Sequence, residues 1–231
     1  MLHSINHLIG HQLHALDGSF GKVKDFYFAD DCWAIRYLIA DTGSWLSERQ
    51  VLLAPHAFVS VDYAGSIMRL RLTRHQIEES PPIATDRPVS RQFEMDFYNY
   101  YGLNFYWQGL GIWGFGGYPN VDPLPPNTDA DNFPAQGGPR ASDDPHLRSV
   151  RSVVGYRLHA SDGDIGHVVD FLLDDRSWTI GHVVIRTGGW FSGNEVLIPT
   201  SDVEGISFAD STMSVRTTRA SIRQSPEHVG V

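Results

Sequence analysis

Several groups of residues in this sequence have types and spacings that could do chemistry. Asp41-Thr42-Gly43-Ser44, at the end of an apolar run, has the form of the aspartic protease tetrad. That reaction needs two carboxylates sharing one proton, one from each half of the molecule. The corresponding residues 145 positions later are Arg186-Thr187-Gly188-Gly189, so the second carboxylate is missing and proteolysis is not expected. Gly109-Leu110-Gly111-Ile112-Trp113-Gly114 fits G-x-G-x-x-G. A dinucleotide site requires a buried strand before that motif, a helix after it and an acidic residue about 20 positions on. Here the motif sits among aromatics and runs into Pro119. His3, His7, His11 and His14 would line one face of a helix and could ligate a metal. His14 recurs as His159, which makes it part of the fold, and the other three read as solvated side chains near a terminus. Asp25 and Asp170 stand in otherwise apolar segments with no base or nucleophile at recognisable spacing. Carboxylates accepting backbone or arginine hydrogen bonds at a bend are expected there. Cys32, the one cysteine, corresponds to Ser177, so neither an intrachain disulfide nor a thiolate metal site follows. No catalytic residue, metal ligand or cofactor site is assigned.

These residues belong to a repeat, the feature that most constrains the fold. Gly10, Leu13, His14, Ala15, Asp17, Gly18, Gly21, Val23, Asp25 and Phe26 recur 145 residues later as Gly155, Leu158, His159, Ala160, Asp162, Gly163, Gly166, Val168, Asp170 and Phe171. The correspondence continues through Trp33/Trp178, Thr42-Gly43/Thr187-Gly188, Trp45/Trp190, Thr73-Arg74/Thr218-Arg219 and Ser80-Pro81/Ser225-Pro226. Two domains of 1–81 and 149–231 are therefore expected, joined by a linker over 82–148.

Within each copy, period-two alternation predicts about six short strands. In the first copy they fall near 13–16, 21–29, 33–40, 51–53, 58–63 and 67–72. Thr73 with Gln76 predicts an N-cap and capping box for a short terminal helix; Thr218 keeps the cap, but Ser221 replaces the box residue. A small all-β unit that must hide its edges closes into a barrel, and Gly18/Gly21 and Gly163/Gly166 suit the hairpin and bend this needs.

The series Leu-Ile-Gly, Asp-Gly-x-x-Gly-x-Val-x-Asp-Phe, Thr-Gly-x-Trp, Val-Leu-x-x-Pro and Thr-Arg-x-x-Ile-x-x-Ser-Pro resembles the PRC-barrel family. The resemblance covers residues 5–81 and 150–226. It implies an all-β fold of two small PRC-like β-barrels related by internal duplication, each with a short terminal helix. It also implies docking or assembly rather than catalysis, as in the reaction centre H subunit and the ribosome maturation factor that the family takes in. The arrangement looks most like stand-alone bacterial tandem proteins. A role beside a photosynthetic or ribosomal assembly is an expectation by family analogy alone.

The linker has two parts. Residues 93–118 hold eleven aromatics, and Phe93, Phe97 and Tyr101, four apart, predict a helix from near Ser90 that stops at Gly102. Residues 119–146, rich in Pro, Gly and Asp, have the composition of an irregular tether. The leading expectation is that the aromatic segment folds back into the groove between the barrels. The second is that part of it stays exposed as a docking surface, and the third is shallow insertion at a membrane surface. The residues expected to meet a partner are Tyr98, Tyr101, Tyr106, Trp107 and Trp113, with Trp45 and Trp190 capping barrel ends or binding a ligand.

The chain carries 27 acidic and 18 basic side chains, a formal charge of −9, and no Lys/Arg cluster. Nucleic acid is therefore not an expected partner. No secretory leader or apolar run of about 20 residues is present, so a cytoplasmic location is expected. The function expected is non-enzymatic binding of another protein, with homo-oligomerisation a further expectation. The alternative is a small-molecule or metal sensor using an inter-barrel pocket.

Overall fold

A computed structural model of the chain describes residues 1–46, 49–81, 89, 91–114, 116–119, 147–188 and 193–228. Most of them are β. In the first half the elements are β1 (Leu2–Ser4), α1 (Ile5–Leu8), β2 (Gln12–Ala15), β3 (Gly18–Ala29), β4 (Ala34–Asp41), β5 (Gln50–Leu53), β6 (Phe58–Asp62), β7 (Ile67–Leu70) and α2 (Arg74–Glu78). A longer helix, α3 (Arg91–Tyr101), precedes the second half. There follow β8 (Leu147–Ser149), α4 (Val150–Val153), β9 (Arg157–Ala160), β10 (Gly163–Asp174), β11 (Thr179–Thr187), β12 (Glu195–Pro199), β13 (Val203–Ser207), β14 (Thr212–Val215) and α5 (Arg219–Arg223). Each first-half element thus has a second-half counterpart starting 145 residues later.

The strands form one open sheet in the order β13-β14-β9-β10-β11-β4-β3-β2-β7-β6, with β5 on β4 and β12 on β11. The two halves meet where β4 and β11 pair at Ala34 and Thr179. The amide of Ile35 donates to the carbonyl of Trp178, and that of Ile180 to the carbonyl of Trp33, both at 2.8 Å. Both tryptophans take the left-handed backbone region (φ 59° and 54°), which a bulky residue enters only when its surroundings hold it there. Their rings are so held: Trp33 stacks on Phe28 and Trp178 on Phe58.

The remaining pairings corrected the sequence reading most. β1 pairs with β10 of the opposite half, and β8 pairs with β3. Each half therefore donates its first strand to the other. Three-residue strands carry too little alternation to be seen in sequence, and in the first half a single helical turn over residues 5–8 follows the donated strand. Two separate interiors were expected, but a single buried cluster includes Phe26, Phe28 and Leu38 together with Phe171, Val183 and Ile185. Phe28 and Phe171 touch across the junction at 5.7 Å between ring centroids.

The signature glycines act as the sequence suggests. Gly18 and Gly163 turn the β2–β3 and β9–β10 hairpins with φ of 140° and 125°. At Gly21 and Gly166 the constraint is close approach: a Cβ would lie 2.3 Å from the Asp41 carbonyl oxygen and 2.1 Å from that of Arg186. Gly166→Ala should therefore push β10 from β11, costing about 2–3 kcal/mol. At about 2–4 °C per kcal/mol, thermal melts should shift down by roughly 4–12 °C.

Candidate functional site

β4 is buried on both faces, which is unusual for a strand in an antiparallel pairing. Leu38 and Ala40 face the main core, whereas Tyr37 and Ile39, with Leu52 of β5 and Ala54 just after it, face a second apolar cluster. The aromatic segment builds that cluster. Phe97 of α3 meets Tyr37 edge-on at 5.4 Å and Tyr101 at 4.9 Å. Tyr98 lies against Tyr106 and Trp107 at 5.9 and 5.7 Å. The helix stops at Gly102 (φ 62°), where Leu103 N–H reaches the Tyr98 carbonyl and Gly102 N–H that of Asn99. This double bond pattern is a Schellman stop. Most of the segment therefore packs on the β4–β5 face of the first half, while Trp113 joins the main core and reaches the second half.

Two buried charges organise this cluster. Glu94 is fully enclosed; its Oε1 accepts from the Tyr37 hydroxyl at 2.7 Å and the Tyr106 hydroxyl at 2.9 Å, and Arg91 stands 2.9 Å from Oε2. Burial, with Glu94 close by, pushes the Tyr37 and Tyr106 phenols well above their usual range. Arg36 is 4% exposed and lies over the rings of Tyr106 (3.7 Å) and Trp113 (5.0 Å). Its Nη1 donates to the Ile112 carbonyl at 2.6 Å and its Nη2 to Cys32 Sγ at 3.2 Å. Burial pushes the Cys32 thiol up, against the opposing effect of Arg36. His56, packed edge-on against Trp113 at 5.3 Å, titrates at about 4 because it is buried and faces Arg36 and Arg71. Trp113 then reaches across the molecule, its Nε1 donating to the Ser177 carbonyl at 2.9 Å.

Above this base the hairpin at Gly111 and Gly114 carries apolar side chains outward. Leu110 is fully exposed, and Ile112, Tyr118, Met95 and Tyr100 expose between a third and three-fifths of their surface. Aromatic rings anchor the loop, and its tip faces solvent.

The signature carboxylates sit elsewhere, at the two strand exchanges. Ser4 caps α1 by accepting from His7 N–H, and its hydroxyl donates to Asp170 Oδ2 at 2.5 Å. Asp170 Oδ1 also accepts from the amides of Asn6 and Phe171. The mirror arrangement holds Ser149, Arg151 and Phe26 on Asp25. Burial raises both carboxyl pKa values, an effect these hydrogen bonds partly oppose.

Residues 147–222 match the family model of the PRC-barrel domain. This segment is a PRC-barrel domain. No curated protein matches the chain. The PRC-barrel domain runs from the first residue of β8 into α5, so it includes the strand that pairs with the other half.

Of the residues singled out from the sequence, Tyr98 and Tyr106 are buried in the second cluster with Tyr101 and Trp107 half-buried beside them, and Trp113 is buried in the main core. Trp45 is half-buried outside the PRC-barrel domain, edge-on to Phe20 and covered by Arg74. Trp190 and the tether over 120–146 lie outside the described residues. Asp41 accepts from Gly43 N–H in its own turn. The 109–114 glycines form a hairpin with, among the described residues, neither a strand before it nor a helix after it. His11 is buried instead of solvated, and His3 stacks on Tyr63. Two open depressions among the described residues are lined by other side chains than Tyr98, Tyr101 and Trp107. Among the described residues no group of three or more His, Cys, Asp or Glu could hold a metal, and no helix is long and apolar enough to cross a membrane.

Sequence reasoning missed Arg36, Tyr37, His56 and Glu94. The available signal was Arg36 inside the apolar run Ala34–Ala40, where the second half has Gly181. Glu94 also falls on the helical face of Phe97, Tyr98 and Tyr101, three, four and seven residues on.

Proposed function

We propose that this chain is a non-enzymatic protein-binding or assembly module, made of two PRC-like barrels that arose by internal duplication and share a strand-exchanged junction. Its contact surface is the tip of the aromatic segment, Leu110, Ile112 and Tyr118. The supporting observation is a fully exposed Leu110 at the crest of a loop whose base is fixed by Arg36 and Trp113. A large apolar side chain held outward on an anchored loop is the form of an interface hot spot. The candidate carboxylates support the same reading, since Asp25 and Asp170 are occupied by serine hydroxyls and amides and Asp41 by its own turn.

Deleting residues 93–118 would remove half of a core, so the informative variant is Leu110→Asp with Ile112→Asp. Affinity purification from the source cells, followed by in vitro binding of the recovered protein, should give a specific partner with the unmodified chain. The variant should bind that partner at least about tenfold more weakly while melting within about 1 °C of the parent. Equal binding by both forms would count against the loop as the contact.

A further inference from the structure

We propose that the groove beside the Ser149–Asp25 joint binds a small anion, a phosphate or carboxylate group, through Lys24 and Arg151. The groove holds about 590 Å³ and is lined by Lys24, Asp25, Tyr27, Gln50, Arg151 and Ser152, among others. This goes beyond the docking role of the aromatic loop and involves different residues.

The case rests on comparing the two exchange joints. Both keep the same frame: a capping serine on a buried aspartate and an amide from the following turn. The lining differs. Where the first joint has Lys24, Tyr27, Gln50, Arg151 and Ser152, the second has Val169, Leu172, Glu195, Asn6 and His7. The frame therefore does not require a lysine, a phenol, an amide or an arginine at these positions. In the second half the space is also used by the chain itself. Asn6 Nδ2 donates to the Val169 carbonyl, and Arg186 pairs with Glu195, the counterpart of Gln50.

In the first half Arg151 makes the matching bond to the Lys24 carbonyl, but it brings a cation to the groove where Asn6 brings a neutral amide. Lys24 has no ion pair among the described residues, and the Arg151 guanidinium donates only to the Lys24 carbonyl, at 3.4 Å. Both side chains line the same groove. Asp25 is not a free counterion, because its oxygens already accept from Ser149 Oγ, Phe26 N–H and Arg151 N–H. The turn amides of α4 are engaged as well, Arg151 N–H on Asp25 and Ser152 N–H on Ser149 Oγ. An incoming anion would thus meet side chains: the Lys24 ammonium, the Arg151 guanidinium, and the Gln50 amide and Ser152 hydroxyl as neutral donors. In a chain of net charge −9, a recess lined by two cations and a carboxylate already held by three donors is a local reversal that favours anions over the rest of the surface.

Titration of the full chain with inorganic phosphate and, separately, with succinate, followed by amide NMR at constant ionic strength, tests this. Saturable shifts are expected at Lys24, Gln50, Arg151 and Ser152 with one or both anions, and none at Asn6, His7 or Glu195. The better binder of the two identifies the group. Lys24→Glu with Arg151→Glu should weaken binding by at least about tenfold. Lys24→Gln with Arg151→Gln, which leaves the backbone bond to Asp25 in place, should do the same if the charge reversal disturbs folding. Linear, unsaturated shifts for both anions, or binding that survives the substitutions, would overturn the proposal.

Discussion

Asp170→Ala is expected to lower the melting temperature by roughly 6–12 °C and to strip amide-exchange protection from residues 2–8. The carboxylate gathers three donors: the Ser4 hydroxyl and the amides of Asn6 and Phe171. Its removal leaves these groups in a part-buried site without an acceptor, a loss of about 3 kcal/mol once the carboxylate's own burial cost is set against it. For a chain of this length each kcal/mol corresponds to about 2–4 °C. Asp25→Ala should act alike on residues 147–153. The two joints share no partner, so their effects should add within about 0.5 kcal/mol. The exchange readout separates this from generic destabilisation, because only the donated arm of the affected joint should lose protection at temperatures well below the melt.

Acidification from pH 7 to 4.5 should remove about 2–3 kcal/mol through His56 alone. The unfolded side chain titrates near 6.5 and the native one at about 4, so between these values the unfolded state binds more protons. Stability from this group is therefore full above the unfolded pKa and falls as pH drops towards the native one. The cause is first desolvation and then charge: a proton on His56 would put a cation in a buried site that already faces Arg36 and Arg71. Asp25 and Asp170 act in the opposite sense. Their native pKa values are raised, so their contribution is largest below the unfolded value and declines as pH rises. Comparing urea unfolding of the parent and His56→Leu at the two pH values isolates the histidine, because the aspartates are common to both. The parent should lose about 2–3 kcal/mol more than the variant, and because Trp113 packs on His56, its fluorescence should change in the parent first.

Much of the secondary structure could be read from local signals. The Thr73/Gln76 capping box, the bare Thr218 cap and the arrest of α3 at Gly102 all depend on residues within a few positions of one another. Alternation located β3 and β10, and even their polar members, Asp25 and Asp170. It could not say that Asp25 would meet Ser149, 124 residues away, instead of a serine of its own half. An intact arm and an exchanged arm satisfy the same local pattern, so the choice is made by global packing at the Trp33/Trp178 junction.

The aromatic segment shows the same boundary. Its helix was legible from the four-residue spacing of Phe93, Phe97 and Tyr101. Its seat was not, because the choice of the first half over the second depends on Arg36, Tyr37 and Ile39, whose counterparts are Gly181, His182 and Val184. A cation that stacks on Tyr106 and holds the Ile112 carbonyl exists on only one of the two faces. The buried Glu94 was hidden for a related reason: a carboxylate in a helix reads as solvent-facing until the tyrosines that enclose it are in place.

The central claim is that donated strands bind the two halves into one folding unit. A specific protease site inserted between Gly137 and Gly138 allows the covalent tether to be cut without touching any described element. After cleavage, light scattering should report one particle of the full mass, and calorimetry a single unfolding transition for both fragments. Two particles of about half the mass, each melting on its own, would contradict the exchange.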